Sequence, residues 1–588
     1  MTGCIQVCVV NKNDSCYNPC VTVNLFNLKN IGVVPGMRAF AIAIAVLFSI
    51  PVIAIGLSLF QADSGAWAHI RATTLTDLLT NSLLLVLLVA AGAGVIGTST
   101  AWLASRYDWR GRRQLEWLLV LPLAMPAYVT AYAYTDLLQY AGPVQTWLRE
   151  FFAWQAKSDY WFFEIRSLGG AAALLTLALY PYVYLLARVA FLDQSASLLE
   201  AGRTFGYRRS WLFWKVSLPL ARPAIVAGMA LVMMETLADY GTVSYFGVNT
   251  FTTGIFSAWF AQSDRVAAAK LASLLLIFVT LVLLLETKAR QQARYTDLRG
   301  KTPNRTPLTG YAAWGSNLIC ALPIMGGFLL PLWLLARLAL QDAEASLVFA
   351  QFGEFGTLAW NSFSLSAMTA FIAVTISLLL AYAGFRSQTG ISCGYRDGGK
   401  MVINLVNRLV GLGYAVPGMV IAVGILIPVT MLDHRLADAL SALLGRDTGL
   451  ILTGGIAVLI YAYLIRFLSI SLHTCEAGFA KISHGMDDAA RSLGAGNREV
   501  AWRIHVPLLK TSLITAGLMV FVDVMKELPA TLVMRPFNFD TLAVRTYTLA
   551  KDERLAEAAM AALAIVLVGL IPVILASKAI TNDSSKRR

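Results

Sequence analysis

Four acidic residues lie where acids are expensive. Glu235 and Asp239 are four apart inside one apolar stretch, and Asp523 and Glu527 repeat that spacing in another stretch 288 residues later. Residues four apart share a helix face. Counting 1.5 Å per residue from Ala221, Glu235 falls about 20 Å along its stretch, past its middle. Ionisable groups at such depth normally face a bundle interior or a wet cavity. Their oxygens suit a hard cation, so a transient relay is one chemistry open to them, provided that the site also releases what it binds. The other reading is structural: pairing with bases such as Lys526 or Arg535, or capping of helices where two halves of the chain meet. Tyr240 and Tyr245 would add phenolic oxygens.

A second constellation is a polar loop that occurs twice. The first copy runs Glu200-Ala201-Gly202-Arg203-Thr204-Phe205-Gly206 and, after twelve residues, reaches Pro219. The second runs Asp488-Ala489-Ala490-Arg491-Ser492-Leu493-Gly494 and reaches Pro507 at the same distance. Gly206 and Gly494 suit a sharp turn with positive φ, and Pro is tolerated at the start of the next helix. The pattern predicts two short helices broken at glycine, forming a knob. A plain amphipathic loop would need no fixed spacing. Two copies at one offset imply two related halves in tandem and a docking surface for a two-fold partner.

Other chemistry finds little support. The five histidines, His69, His434, His473, His484 and His505, show neither metal-ligand spacing nor a nucleophile partner. Cys4, Cys8, Cys16 and Cys20 form two CxxxC pairs in a polar leader, whereas Cys320, Cys393 and Cys475 are scattered. A phosphate-binding loop needs GxxxxGK[ST] between strand and helix. Gly300-Lys301-Thr302 fails, because position 295 is Tyr and no apolar strand precedes it.

The elements that must position these groups are membrane spans. Of the 588 residues 57% are hydrophobic and 14% charged, and the mean hydropathy is +0.64; soluble domains carry about 25% charged residues. Runs of about 20 apolar residues can cross a bilayer, and twelve are present: 37–60, 82–104, 116–136, 169–191, 221–242, 268–286, 311–340, 361–384, 402–431, 449–472, 511–533 and 556–579. With the N-terminus inside, the cytoplasmic segments, leader and tail included, hold about 27 Lys and Arg against about 11 opposite. The net charge of +13 therefore reads as topology, with both termini cytoplasmic, and not as a nucleic-acid surface. Asn81-Ser82 is answered by Asn361-Ser362, and Pro126-Ala127-Tyr128-Val129 by Pro417-Gly418-Met419-Val420. Six spans per half, with the loop after the fourth in each, make a parallel repeat. The expected organisation is an extension over 1–36 (Met37-Arg38 looks like a natural start), a first membrane domain over 37–286, a linker over 287–310, a second membrane domain over 311–580 and a basic tail over 581–588. Between spans three and four, 144–168 is rich in Trp, Phe and Tyr and reads as an amphipathic external helix at the membrane interface, or a docking surface for a soluble partner.

The two loops resemble the EAA loops of binding-protein-dependent ABC importer permeases, departing at Gly202 and at Asp488. Glu235-Thr236-Leu237-Ala238-Asp239-Tyr240-Gly241-Thr242 and Lys526-Glu527-Leu528-Pro529-Ala530-Thr531 are similar to segments of the fused, twelve-span ferric iron permeases. The resemblance covers roughly 37–580. It implies an all-α polytopic membrane protein of two six-helix type I permease halves in a bacterial inner membrane, in lipid. Each loop (Glu200, Ala201, Gly206 and Pro219; Asp488, Ala489, Gly494 and Pro507) would dock into a cytoplasmic ABC ATPase dimer, and a periplasmic substrate-binding protein would deliver cargo. Fe3+ would be the transported substrate, with no stably bound cofactor and alternating access as mechanism. Thiamine, phosphonate, polyamine and sulfate permeases share the architecture. A gradient-driven secondary transporter is the alternative of another class, with the acids as proton relays.

Overall fold

The structure, a computed structural model, describes residues 35–194, 204–291, 305–345, 348–388, 398–445 and 449–586. Long apolar runs form its helices, and 11 among the described residues are long and apolar enough to cross a membrane. In the first half these are span 1 (Gly36–Ser58), span 2 (Leu75–Arg106), span 4 (Leu168–Asp193), span 5 (Phe213–Ala238) and span 6 (Arg265–Lys288). In the second they are span 7 (Gly310–Gln341), span 8 (Gly353–Ser387), span 9 (Gly418–Leu444), span 10 (Ile456–Phe479), span 11 (Ala501–Met525) and span 12 (Leu555–Leu575). Span 3 is a broken pair, Arg112–Ala124 and Ala127–Phe152, bent by 93°.

Two of the expected continuous spans are therefore interrupted. Span 3 passes through a 3-10 turn, Leu121–Ala124, before Pro126 opens its second part, and a shorter helix, Met401–Ala415, precedes Pro417 and span 9 in the same way. Proline cannot donate to the preceding turn, so the helix is rebuilt on its far side. Spans 5 and 11 also stop earlier than expected, at Ala238 and Met525. The short helices Gly241–Tyr245 and Pro529–Met534 come next in the chain.

The repeated Asn-Ser pairs do the same work in both halves. Asn81 Nδ2 donates to the Asn249 carbonyl and Asn361 Nδ2 to that of Asp540, both at 3.1 Å. Ser82 Oγ accepts from Phe251 N at 3.1 Å and Ser362 Oγ from Leu542 N at 2.8 Å. Each pair thus fixes a helix beyond the end of span 5 or span 11.

Spans 1 and 7 are exchanged arms. Span 1 packs on span 9, where a Cβ on Gly424 would lie 2.7 Å from Ile55 and from the Pro51 carbonyl. Span 7 packs on the first half: Tyr134 donates to the Gly326 carbonyl at 2.6 Å, and Trp109 Nε1 to Asn317 Oδ1 at 2.8 Å. After the linker, whose residues 292–304 lie outside the described set, Thr306–Pro307 pairs in parallel with Tyr107–Asp108. The four leader cysteines, Cys393 and Gly300-Lys301-Thr302 also lie outside the described residues, while Cys320 and Cys475 are buried and unbridged. Of 144–168, helix covers Pro143–Phe152, with Gln145 inward and Trp147 and Phe151 exposed. The remainder is held by stacked rings, Phe152 on Trp154 and Trp154 on Tyr160.

At the loop end of the first half, buried Glu116 accepts from Arg112 Nη1 at 2.7 Å and from Arg188 Nε at 2.9 Å. Glu116→Leu would leave two guanidinium groups buried without their shared partner. Breaking such a pair costs about 3–5 kcal/mol. A clear fall in the thermal midpoint of the detergent-solubilised protein is expected, and an unchanged midpoint would refute this role.

Candidate functional site: a carboxylate cavity between the halves

Asp239 ends span 5. Its side chain accepts from Thr242 N at 3.1 Å, Val243 N at 3.2 Å and Thr242 Oγ1 at 3.1 Å, and so caps Gly241–Tyr245. A short acid that binds the next backbone amides favours a new helix over continuation of the old one. Glu527 behaves alike: it lies just past the last turn of span 11 and accepts from Ala530 N at 3.2 Å, beside Pro529. The expected sharing of one helix face by Glu235 with Asp239, and by Asp523 with Glu527, is thereby corrected. The first member of each pair lies on the span, and the second caps the short helix beyond it.

All four acids nevertheless line one cavity of about 130 Å³ at the meeting of the halves. Two bases stand among them. Lys526 Nζ is 2.7 Å from Asp523 Oδ1. Arg466, on span 10, donates to Glu527 Oε1 and Oε2 at 3.1 and 3.0 Å, and its Nη2 lies 3.8 Å from Glu235 Oε2 in the other half. Arg535, expected as a partner, is paired with Asp540 instead. Formally, four negative and two positive charges leave the cavity negative. Among the described residues no three His, Cys, Asp or Glu side chains converge to hold a metal ion.

Tyrosines bridge the halves around the acids, and the Tyr414 hydroxyl is within hydrogen-bond reach of Glu235. The Tyr182 and Tyr414 hydroxyls are 3.4 Å apart, and the Tyr547 hydroxyl donates to Tyr240 at 3.3 Å and lies 2.9 Å from Ser244 Oγ. A Cβ on Gly228 would lie 2.8 Å from Val183 Cα, so the backbone of Tyr182 is about 9 Å down span 5 from Glu235, and its side chain reaches back toward the acids. Tyr240 lies beyond the opposite end of span 5. Tyr240 lines the cavity as expected; Tyr245 does not, lying under the Arg166 guanidinium at 5.2 Å.

The loops sit at the far ends of spans 5 and 11. Glu200 and Ala201 lie outside the described residues. Gly206 and Gly494 have φ of 78° and 88°, the left-handed turn that glycine admits. In the second copy a helix, His484–Ser492, presents Asp488 and Ala489 at the surface. The separate second helix expected after each glycine is instead the foot of the span: Arg209–Leu212 continues through a π-turn, Phe213–Ser217, into Leu218–Ala238, and Asn497–Val500 continues through Ala501–His505 into Val506–Met525. The wide π-turn absorbs the missing donor and ring bulk of Pro219 and Pro507. Phe205 and Leu493, immediately before the glycines, are 78% and 90% exposed. Sequence reasoning passed over these tips and over Arg466; a large apolar residue one before the glycine in both copies was the available signal for the tips.

A duplicated bundle of membrane spans with paired loops and a polar cavity between its halves is a transport permease. The chain belongs to the family described as binding-protein-dependent transport system inner membrane component, which matches residues 93–290 and 387–582. It is thus a multi-pass inner-membrane protein and the permease of an ABC importer, not its ATP-hydrolysing component. That membership sets aside the gradient-driven alternative. A Fe(3+)-transport system permease protein of Haemophilus influenzae is 26% identical over 514 residues, 86% of this chain and 90% of the relative. A ferric transport system permease protein of Actinobacillus pleuropneumoniae is 24% identical over 536 residues, 86% and 71% of the two chains. A sulfate transport system permease protein of Escherichia coli is 29% identical over 195 residues, 32% and 67%.

Removing Arg466 strands Glu527. Arg466→Met is expected to destabilise by about 3–5 kcal/mol, read as a lower thermal midpoint, with Glu527→Gln added on top restoring much of the loss. A double variant no better than the single would refute the pairing.

Proposed function

We propose that this permease imports ferric iron. The observation that carries the reading is the negatively charged cavity between the halves, whose carboxylates suit a hard cation. Relatives named for ferric transport, alignable over most of both chains, support it. A sulfate or phosphonate path would favour positive groups and helix N-termini, and the sulfate-named relative aligns with a third of the chain. Thiamine and polyamines remain cationic competitors for the same cavity.

The chain is read as two permease domains, 37–286 and 311–580, with both termini cytoplasmic. A loaded periplasmic binding protein docks opposite the loops. The knobs around Gly206 and Gly494, with Glu200, Ala201, Asp488 and Ala489, seat in a cytoplasmic ATPase dimer, and Phe205 and Leu493 supply apolar tips for its clefts. Closure of the dimer moves each knob, and the helix running through Pro219 or Pro507 carries the movement to Glu235 or Asp523. The halves then move about the cavity, parting its tyrosine bridges and exposing it first to one side and then to the other.

The test is uptake of labelled ferric iron in cells lacking the gene. Wild type is expected to restore uptake. Gly206→Pro with Gly494→Pro, and Glu235→Ala with Asp523→Ala, should each reduce it at least tenfold at normal membrane abundance. If wild type restores no iron uptake, the iron assignment fails. Full activity of the loop variant would refute the docking role, and full activity of the acid variant the carboxylate path.

A further inference from the structure

The acids of the cavity obey the repeat, whereas the bases do not. At the offset of 288 residues, Glu235 answers Asp523 and Asp239 answers Glu527. Arg466 and Lys526, by contrast, are answered in the first half by Ala178 and Ala238, both of which line the same cavity. The second half therefore brings two acids and two bases, and the first brings two acids and none. The phenols are skewed the other way: Tyr128, Tyr182 and Tyr240 come from the first half and Tyr414 from the second. Tyr128 is 5% exposed, lies within electrostatic reach of Glu527, and its hydroxyl has no hydrogen-bond partner. A buried hydroxyl without a protein partner adds an oxygen to the lining that can turn toward a ligand.

We propose that the halves divide the work: the second supplies resident counter-cations, and the first supplies the wall on which the transported cation rides. The inference rests on the cation-import reading and specifies where in the cavity the cargo is carried. Arg466 and Lys526 offset the charges of Glu527 and Asp523, so the fold does not carry four bare carboxylates in apolar surroundings. Glu235 and Asp239, the pair with no base from its own half, form with the phenol oxygens the wall that takes the cargo. Because Arg466 also reaches toward Glu235, it competes with cargo for that carboxylate and keeps the hold on the cation weak enough for release.

The test is to give the first half the base it lacks. Ala238→Lys mirrors Lys526, and Ala238→Met controls for bulk without charge; labelled ferric iron uptake and membrane abundance are read together. Uptake by Ala238→Lys is expected at least tenfold below that of Ala238→Met at equal abundance. Adding Lys526→Met to Ala238→Lys restores the charge sum but leaves the base on the first half, and uptake should stay low. Equal uptake by the Lys and Met variants would overturn the proposal, and so would recovery in the double variant, because charge sum and not location would then govern. Absence of iron uptake by wild type would instead remove the iron reading, and this inference about its path with it.

Discussion

Arg466 is the charge around which the centre of the molecule is organised. Its guanidinium is buried between spans, a placement tolerated only when carboxylates answer it. Glu527 answers with both oxygens and at the same time caps the helix after span 11. Glycine opposite leaves room for the pair, since a Cβ on Gly418 would lie 2.5 Å from Glu527 Oε1 and 2.9 Å from Arg466 Nη1 and would push them aside. Glu235 extends the cluster into the other half. The start of span 9, the middle of span 10 and the ends of spans 5 and 11 are thus mutually fixed by one buried ion cluster.

Much of this was legible in the chain. Hydropathy alone located the spans, because apolar length is a physical demand of the bilayer. The 288-residue offset located both loops and all four acids. What escaped was what depends on local competition for backbone groups. Asp239 reads as helix until its carboxylate is seen on the amides of Thr242 and Val243. Pro417 lies inside an apolar run whose hydropathy gives no hint of a break. Arg466 was invisible for a different reason: one base in an apolar span has no periodicity, and its partners lie 61 residues away along the chain in Glu527 and across the repeat in Glu235.

The loops and the cavity are joined by covalent helix, not by a relay of contacts. From Arg209 to Glu235 the backbone is helical throughout, a rod of roughly 40 Å. The π-turns seat Pro219 and Pro507 without severing that rod. The feet are held differently: His505 Nε2 meets Asp487 at 2.6 Å in the second half, while Gln194 Nε2 donates to the Ser217 carbonyl at 2.8 Å in the first. The rods are therefore alike in shape, but their anchorages differ in chemistry.

The exchange of spans 1 and 7 between the halves also has a consequence for biosynthesis. Span 1 leaves the ribosome first, yet the surface it needs on span 9, around Gly424, is made about 370 residues later. At 5–20 residues per second that is an interval on the order of tens of seconds. Through that interval span 1 has only span 6 of its own half to pack on, where Ser273 Oγ donates to the Ile55 carbonyl at 2.8 Å. The first half is then not a finished folding unit at the moment its last residue is made, and the nascent protein reaches its native packing only when the second half arrives to claim the waiting arm.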